Sequence, residues 1–177
     1  MKLSWVVIVI HAIIFFSSSG WAGGWDKTLK QYDCLEVEKF FVDRDDFSSS
    51  KMERAAAVPQ ETLDGLQHKI VGQVSRAKIF SKVGKAGQVS CPGKVLVFGG
   101  QVTDYKRGSR AARLLIGLGA GKQKFATKSY LKDKETEKVL AKKKIVDRKV
   151  GGLAGGDEDK GQRDFAEKVA KFVKNGD

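Results

Sequence analysis

KQKFATKSYLKDKETEKVLAKKKIVDRKV, residues 122–150, reads as a strand, a turn and a returning strand. Lys122, Lys124 and Lys128 alternate with Phe125, Thr127, Ser129 and Leu131, the period of two that a half-buried strand imposes. Lys132 to Glu137 is a turn by composition, and Lys138 to Val150 forms the returning strand. Upstream, Lys94 to Tyr105 carries the apolar run Val95-Leu96-Val97-Phe98, which predicts a centrally placed strand. Further back, Val58-Pro59 opens a helix, with proline at the first helical position. Leu63, Leu66, Ile70, Val74 and Ala77 give that helix one apolar face. Tyr32 to Val42 is a first strand, with Leu35 and Val37 alternating with Glu36 and Glu38. Asp43 to Ala57 and Gly84 to Gly93 read as a loop and a turn.

Downstream, Gly151 to Gly156 is a break, and Asp157 to about Lys174 is a closing helix. Acids at its start and lysines toward its end complement the helix dipole. Phe165, Ala166, Val169, Phe172 and Val173 form its apolar face. The order is β-α-β-β-β-α. It predicts an α+β two-layer sandwich, a mixed sheet of about four strands under two helices. A single domain over residues 32–174 accommodates it.

The chain has 177 residues and a formal net charge of +12, with 20 Gly, two Pro and two Cys. Hydrophobic residues at 41% allow a real core, which excludes a disordered or collagen-like chain. Two cysteines are too few for a disulfide scaffold or a four-cysteine zinc site. Residues 1–22 have the layout of a secretory signal peptide: Lys2, an apolar run to Phe16, then small residues to a cut after Ala22. An uncleaved anchor is the other reading, though the run is short for a span. Residues 23–31, with Gly23 and Gly24, read as a flexible lead-in. No cysteine stands at the cut, so lipid anchoring is not expected, and the predicted location is the periplasm or the outer-membrane surface.

Export places the chain where disulfides persist. Cys34 lies near the start of the first strand and Cys91 just before the second. Parallel strands in a strand-helix-strand unit would put both at one end of the sheet, within bridging reach. Two unpaired buried thiols are the alternative.

Motifs for chemistry are thin. Gly117-Leu118-Gly119-Ala120-Gly121-Lys122-Gln123 fails as a phosphate loop: Ile116 stands where the first glycine belongs and Gln123 where the hydroxyl belongs. His11 lies in the leader and His68 on a polar helix position, so no metal site is proposed. Ser48 to Ser50 have no histidine nearby. The expectation is a non-catalytic protein without cofactor. Two stretches remain. Residues 108–121 are rich in small residues and hold Arg110, Arg113, Gly117, Gly119 and Gly121, which suit either partner contact or a tight crossover whose leucines join the core. The hairpin carries eleven Lys or Arg against four Asp or Glu between Lys122 and Lys149. Its Lys124, Lys128, Lys142, Lys143 and Lys144 suit either an anionic surface or plain solvation. No aromatics alternate with these lysines as single-strand binding would require, so nucleic acid is not an expected partner.

The run from Gly99 to Gly121 resembles the bacterial family called domain of unknown function 4410. Its members show Gly-x-Ile/Val-Thr-Asp, here Gly100 to Asp104; then Gly-Ser/Asn-Arg-Ala-x-Arg, here Gly108 to Arg113; then Gly-Phe/Leu-Gly-Ala-Gly, here Gly117 to Gly121. A hairpin and a closing helix follow, so the resemblance covers about residues 32–173. It implies an exported Gram-negative envelope protein, often a lipoprotein, with no catalytic residues to carry over. Three departures stand out: no lipobox cysteine, Glu137 where the family's turn has glycine, and Lys143-Lys144 where its strand alternates. The first functional expectation is a binding or assembly module making contacts with envelope proteins. The second is electrostatic binding of anionic envelope polymer or lipid by residues 122–149, peripheral membrane contact included.

Overall fold

The computed structural model describes residues 24–106, 123–149 and 158–177. The architecture is α+β with a mixed sheet. Among the described residues it has five strands and four helices, against the expected four and two. In chain order these are α1 (Gly24–Leu29), β1 (Cys34–Val37), α2 (Ser50–Ala56), α3 (Gln60–Arg76), β2 (Lys82–Lys85), β3 (Val95–Lys106), β4 (Gln123–Asp133), β5 (Val139–Lys149) and α4 (Glu158–Asn175). The sheet order is β2-β1-β3-β4-β5. β1 pairs parallel with β2 and β3, and β3, β4 and β5 form an antiparallel meander.

Three elements differ from the sequence reading. The first is α1, which lies in the stretch read as a flexible lead-in. Trp25 and Leu29, one helical turn apart, are both buried, and the Trp25 indole donates to the Val173 carbonyl at 3.1 Å. The second is α2, inside the stretch read as loop. Its start is capped by Ser49, whose Oγ accepts from the Met52 amide. The third is β2, which adds a fifth strand from the stretch Lys82–Lys85. The expected β1 is also shorter. Beyond Val37 the chain leaves the ladder and returns at Phe41, whose amide donates to Gly100 and whose carbonyl accepts from Val102.

α3 starts one residue after Pro59, which serves as the cap rather than the first helical residue. Its Leu63, Leu66, Ile70 and Val74 are buried as the spacing predicts. On α4 the same holds for Phe165, Ala166, Val169, Phe172 and Val173. Both helices pack on one sheet face. That face presents Leu96, Phe98 and Val102 from β3, Phe125 and Leu131 from β4, and Ile145 from β5. A register shift between Val102 and Asp104 returns Tyr105 to the core side, where its ring meets Phe125 edge-on. Phe40 joins the layers, with its ring edge-to-face with Phe98, Phe125 and Phe165.

Two backbone positions in the sheet and its hairpin turn have a physical cause. A Cβ on Gly100 would stand 2.6 Å from the Lys128 carbonyl oxygen, so β3 and β4 approach there only without a side chain. Glu137 takes φ 56°, in the left-handed region that costs a non-glycine residue about 1 kcal/mol. Its carboxylate is held by Lys132 at 2.6 Å.

Cys34 and Cys91 form a disulfide, with Cα atoms 6.3 Å apart. Cys34 is fully buried, and its parallel partners Lys82 and Val95 bring the β2–β3 connection back across the start of β1.

Candidate functional site

The sheet face turned away from α3 and α4 is where charge collects. Cross-strand partners share a face. Lys124 faces Arg148, Ala126 faces Val146, Lys128 faces Lys144, and Tyr130 faces Lys142. The neighbouring β3 positions are Lys106, Asp104, Gln101 and Gly99. Of the lysines singled out in the sequence, Lys124, Lys128, Lys142 and Lys144 therefore stand together. Lys143 does not. It pairs with the buried Ser129, on the helix-bearing side. Three consecutive lysines on a strand cannot share one face, because successive side chains point oppositely. Arg148 takes the place in the cluster that the sequence reading gave to Lys143.

Part of this charge is internally neutralised. Lys134 pairs with the buried Glu36 at 2.7 Å. Lys132 reaches Glu38 at 3.3 Å as well as Glu137. The Tyr130 hydroxyl donates to Glu38 at 2.5 Å, and burial followed by that bond pushes its pKa up to about 12. Among the described residues, no acidic partner pairs with Lys51, Lys128, Lys142, Lys144 or Arg148. The unbalanced charge of the hairpin thus lies toward β5.

Asp104, from the family motif, organises the inner end. It is 2% exposed and pairs with Arg54 of α2 at 2.8 Å and Lys124 of β4 at 2.5 Å. Burial pushes its pKa up, but the two cations outweigh burial and hold the carboxyl below the usual carboxylate range. With the folded value depressed, this contribution to stability is complete above the unfolded value and is lost as pH falls through the folded one. Arg44 adds a second tie to this region, donating to the carbonyls of Ala56 and Val58. Replacing Asp104 with Asn should cost about 3 kcal/mol at neutral pH, since it leaves two partly buried cations facing a neutral group. Denaturant unfolding with amide exchange in α2 measures it. A loss under about 1 kcal/mol would assign the anchoring of α2 to Ala55 packing and Arg44 instead.

Between α2 and the sheet lies a groove of about 230 Å³. Lys51, Lys124, Lys128, Lys144 and Arg148 line it, with Met52, Ala126 and Val146 between them, Ser49 and Thr103 at its walls, and Asp104, neutralised by Arg54 and Lys124, at its inner end. A second hollow, of about 590 Å³, lies between the Pro92–Val95 and Asp133–Glu135 segments and is of mixed charge. Among the described residues, no group of three His, Cys, Asp or Glu could hold a metal ion. No described helix is long and apolar enough to cross a membrane. His68 is exposed on α3. Arg110, Arg113, Gly117, Gly119 and Gly121, and the leader at 1–22, lie outside the described residues.

The strands from β1 to β5 fall within a stretch matched by a known family. The model described as domain of unknown function (DUF4410) matches residues 33–155, and the chain belongs to that family. α4 lies beyond the matched stretch. No curated protein matches the chain. Among solved structures, it is similar to a PelC variant crystallised as a dodecamer, from Paraburkholderia phytofirmans. The TM-score is 0.51 at 12% identity, over 81% of this chain and 87% of that one. It is also similar to a protein of the DUF330 family from Xanthomonas campestris. Here the TM-score is 0.50 at 11% identity, over 82% and 85%. At such identities the likeness is one of fold.

Proposed function

We propose that this chain is an exported, non-catalytic binding module of the bacterial cell envelope. In this reading it holds an anionic envelope component against the β4–β5 face. The observation that carries it is the set of unpaired cations, Lys128, Lys142, Lys144 and Arg148, on one face of two adjacent strands. Plain solubility needs charge but not its concentration on one side. Family membership and the leader-like start support the envelope assignment.

The test is charge reversal. Lys128→Glu, Lys144→Glu and Arg148→Glu together should abolish retention on polygalacturonate and on phosphatidylglycerol vesicles. For the unaltered chain, affinity should fall by more than about tenfold as salt rises toward 0.3 M, because exposed charges are screened beyond the Debye length. Salt-insensitive binding, or a triple variant that binds like the parent, would overturn the proposal.

A second reading is assembly with copies of itself or with other envelope proteins through the glycine-rich stretch 108–121. The dodecameric state of the PelC structure supports it, and sedimentation of the mature chain tests it.

A further inference from the structure

We infer that the groove beneath α2 is a binding site for a segment of an anionic polysaccharide lying along the strand direction. The inference rests on the electrostatic reading above and names the ligand class for the same face.

Three observations narrow the class. The first is spacing. Lys128 and Lys144 form one cationic pole, and Lys124 with Arg148 forms the other, four residues along the strands. At the rise of a strand the poles lie about 13 Å apart. Lys124 is already engaged by Asp104, so Arg148 supplies the free charge at its pole. A ligand must therefore carry separated anionic groups.

The second is what lies between the poles. Ala126, Val146 and Met52 form a small apolar saddle, and Ser49 and Thr103 flank it. Sugar rings offer a C–H face for such a saddle and hydroxyls for such walls. The saddle sits on β4 and β5, whose backbone groups are paired with each other, and the register shift at Thr103 interrupts the β3 ladder beside it. A peptide laid flat on this face meets no open strand edge, the feature that strand addition uses.

The third is shape. α2, fixed by Asp104 and Arg44, stands as a wall, so the cations line a concavity rather than a plateau. A single extended chain enters a groove, whereas a flat bilayer surface meets its rim. Phe41, 60% exposed, pairs with Gln101, and Gln101 in turn with Lys128. It continues the row Lys144–Lys128–Gln101 as an apolar margin on which a further ring could stack.

The experiment separates groove from charge. Lys144→Met and Lys143→Met remove the same charge from adjacent exposed positions of one strand, one lining the groove and one on the opposite face. Titration of the chain with oligogalacturonate should show roughly tenfold weaker binding for K144M and under twofold for K143M. Met52→Trp, which fills the saddle without altering charge, should weaken binding to the same degree, with far-UV circular dichroism checking its fold. Equal losses for the two lysine variants, with the triple charge reversal still abolishing binding, would overturn the groove and leave the electrostatic reading in place. Loss of both readings would follow if the unaltered chain bound no polyanion. Equal or tighter binding of polyglutamate, or of phosphatidylglycerol vesicles at matched charge, would overturn the polysaccharide assignment. Dextran, uncharged, should not bind.

Discussion

Replacing both cysteines with alanine is expected to lower the free energy of unfolding by about 4 kcal/mol. The bridge closes a separation of 57 residues, and the cost follows from the entropy that such a loop returns to the unfolded chain. Cys34 is fully buried at the start of the middle parallel strand, so the substitution also removes packed atoms there. Urea unfolding of the C34A/C91A pair, beside the parent with and without reductant, gives the value. A shift under about 1 kcal/mol would mean that the reduced unfolded chain already keeps β1 and β3 close. An increase in the denaturant slope with the midpoint lowered would fit a more expanded unfolded state instead.

The second large effect is expected at Phe165. Its ring lies 5.9 Å from Phe40 and 5.0 Å from Phe125, edge-on to both, and it is 1% exposed. It joins α4, which the family match does not reach, to the sheet and to the segment after β1. Phe165→Ala should cost about 3–5 kcal/mol through lost burial and the cavity left behind. Phe47→Ala is the internal control. Phe47 is 68% exposed, so its removal should change stability by no more than about 0.5 kcal/mol. Similar small losses at both sites would mean that α4 is not part of the cooperative core.

Where the sequence was legible, one strong period dominated. The faces of α3 and α4 are long enough for the helical spacing to declare itself, and β4 alternates over eleven residues. The misses share a different cause. β2 is Lys-Val-Gly-Lys, with Val83 its single large apolar side chain, and it is a strand because β1 offers a parallel edge. α1 spans six residues, too few for a period, and its meaning lies in the contact between Trp25 and Val173, 148 positions apart. α2 had a local signal in Ser49, but the carboxylate that anchors it comes from Asp104 on a distant strand.

The candidate site divides in the same way. That the hairpin was basic was evident, and alternation alone could have removed Lys143 from the cluster. Which cations stay unpaired could not be read. Neutralisation depends on Glu36 and Glu38, about a hundred residues upstream, meeting Lys134 and Lys132 across the sheet. The groove was hidden for a similar reason, since its outer wall is α2.

The bridge between Cys34 and Cys91 also makes a covalent ring of everything between them, including α2, α3, β2 and the exposed loop around Phe47. A protease cutting once inside that ring releases nothing. The two parts remain one molecule until the bridge is reduced, and the wall of the groove stays tethered at both ends. The exposed loop around Phe47 thus lies inside the stretch where a single cut cannot separate the chain.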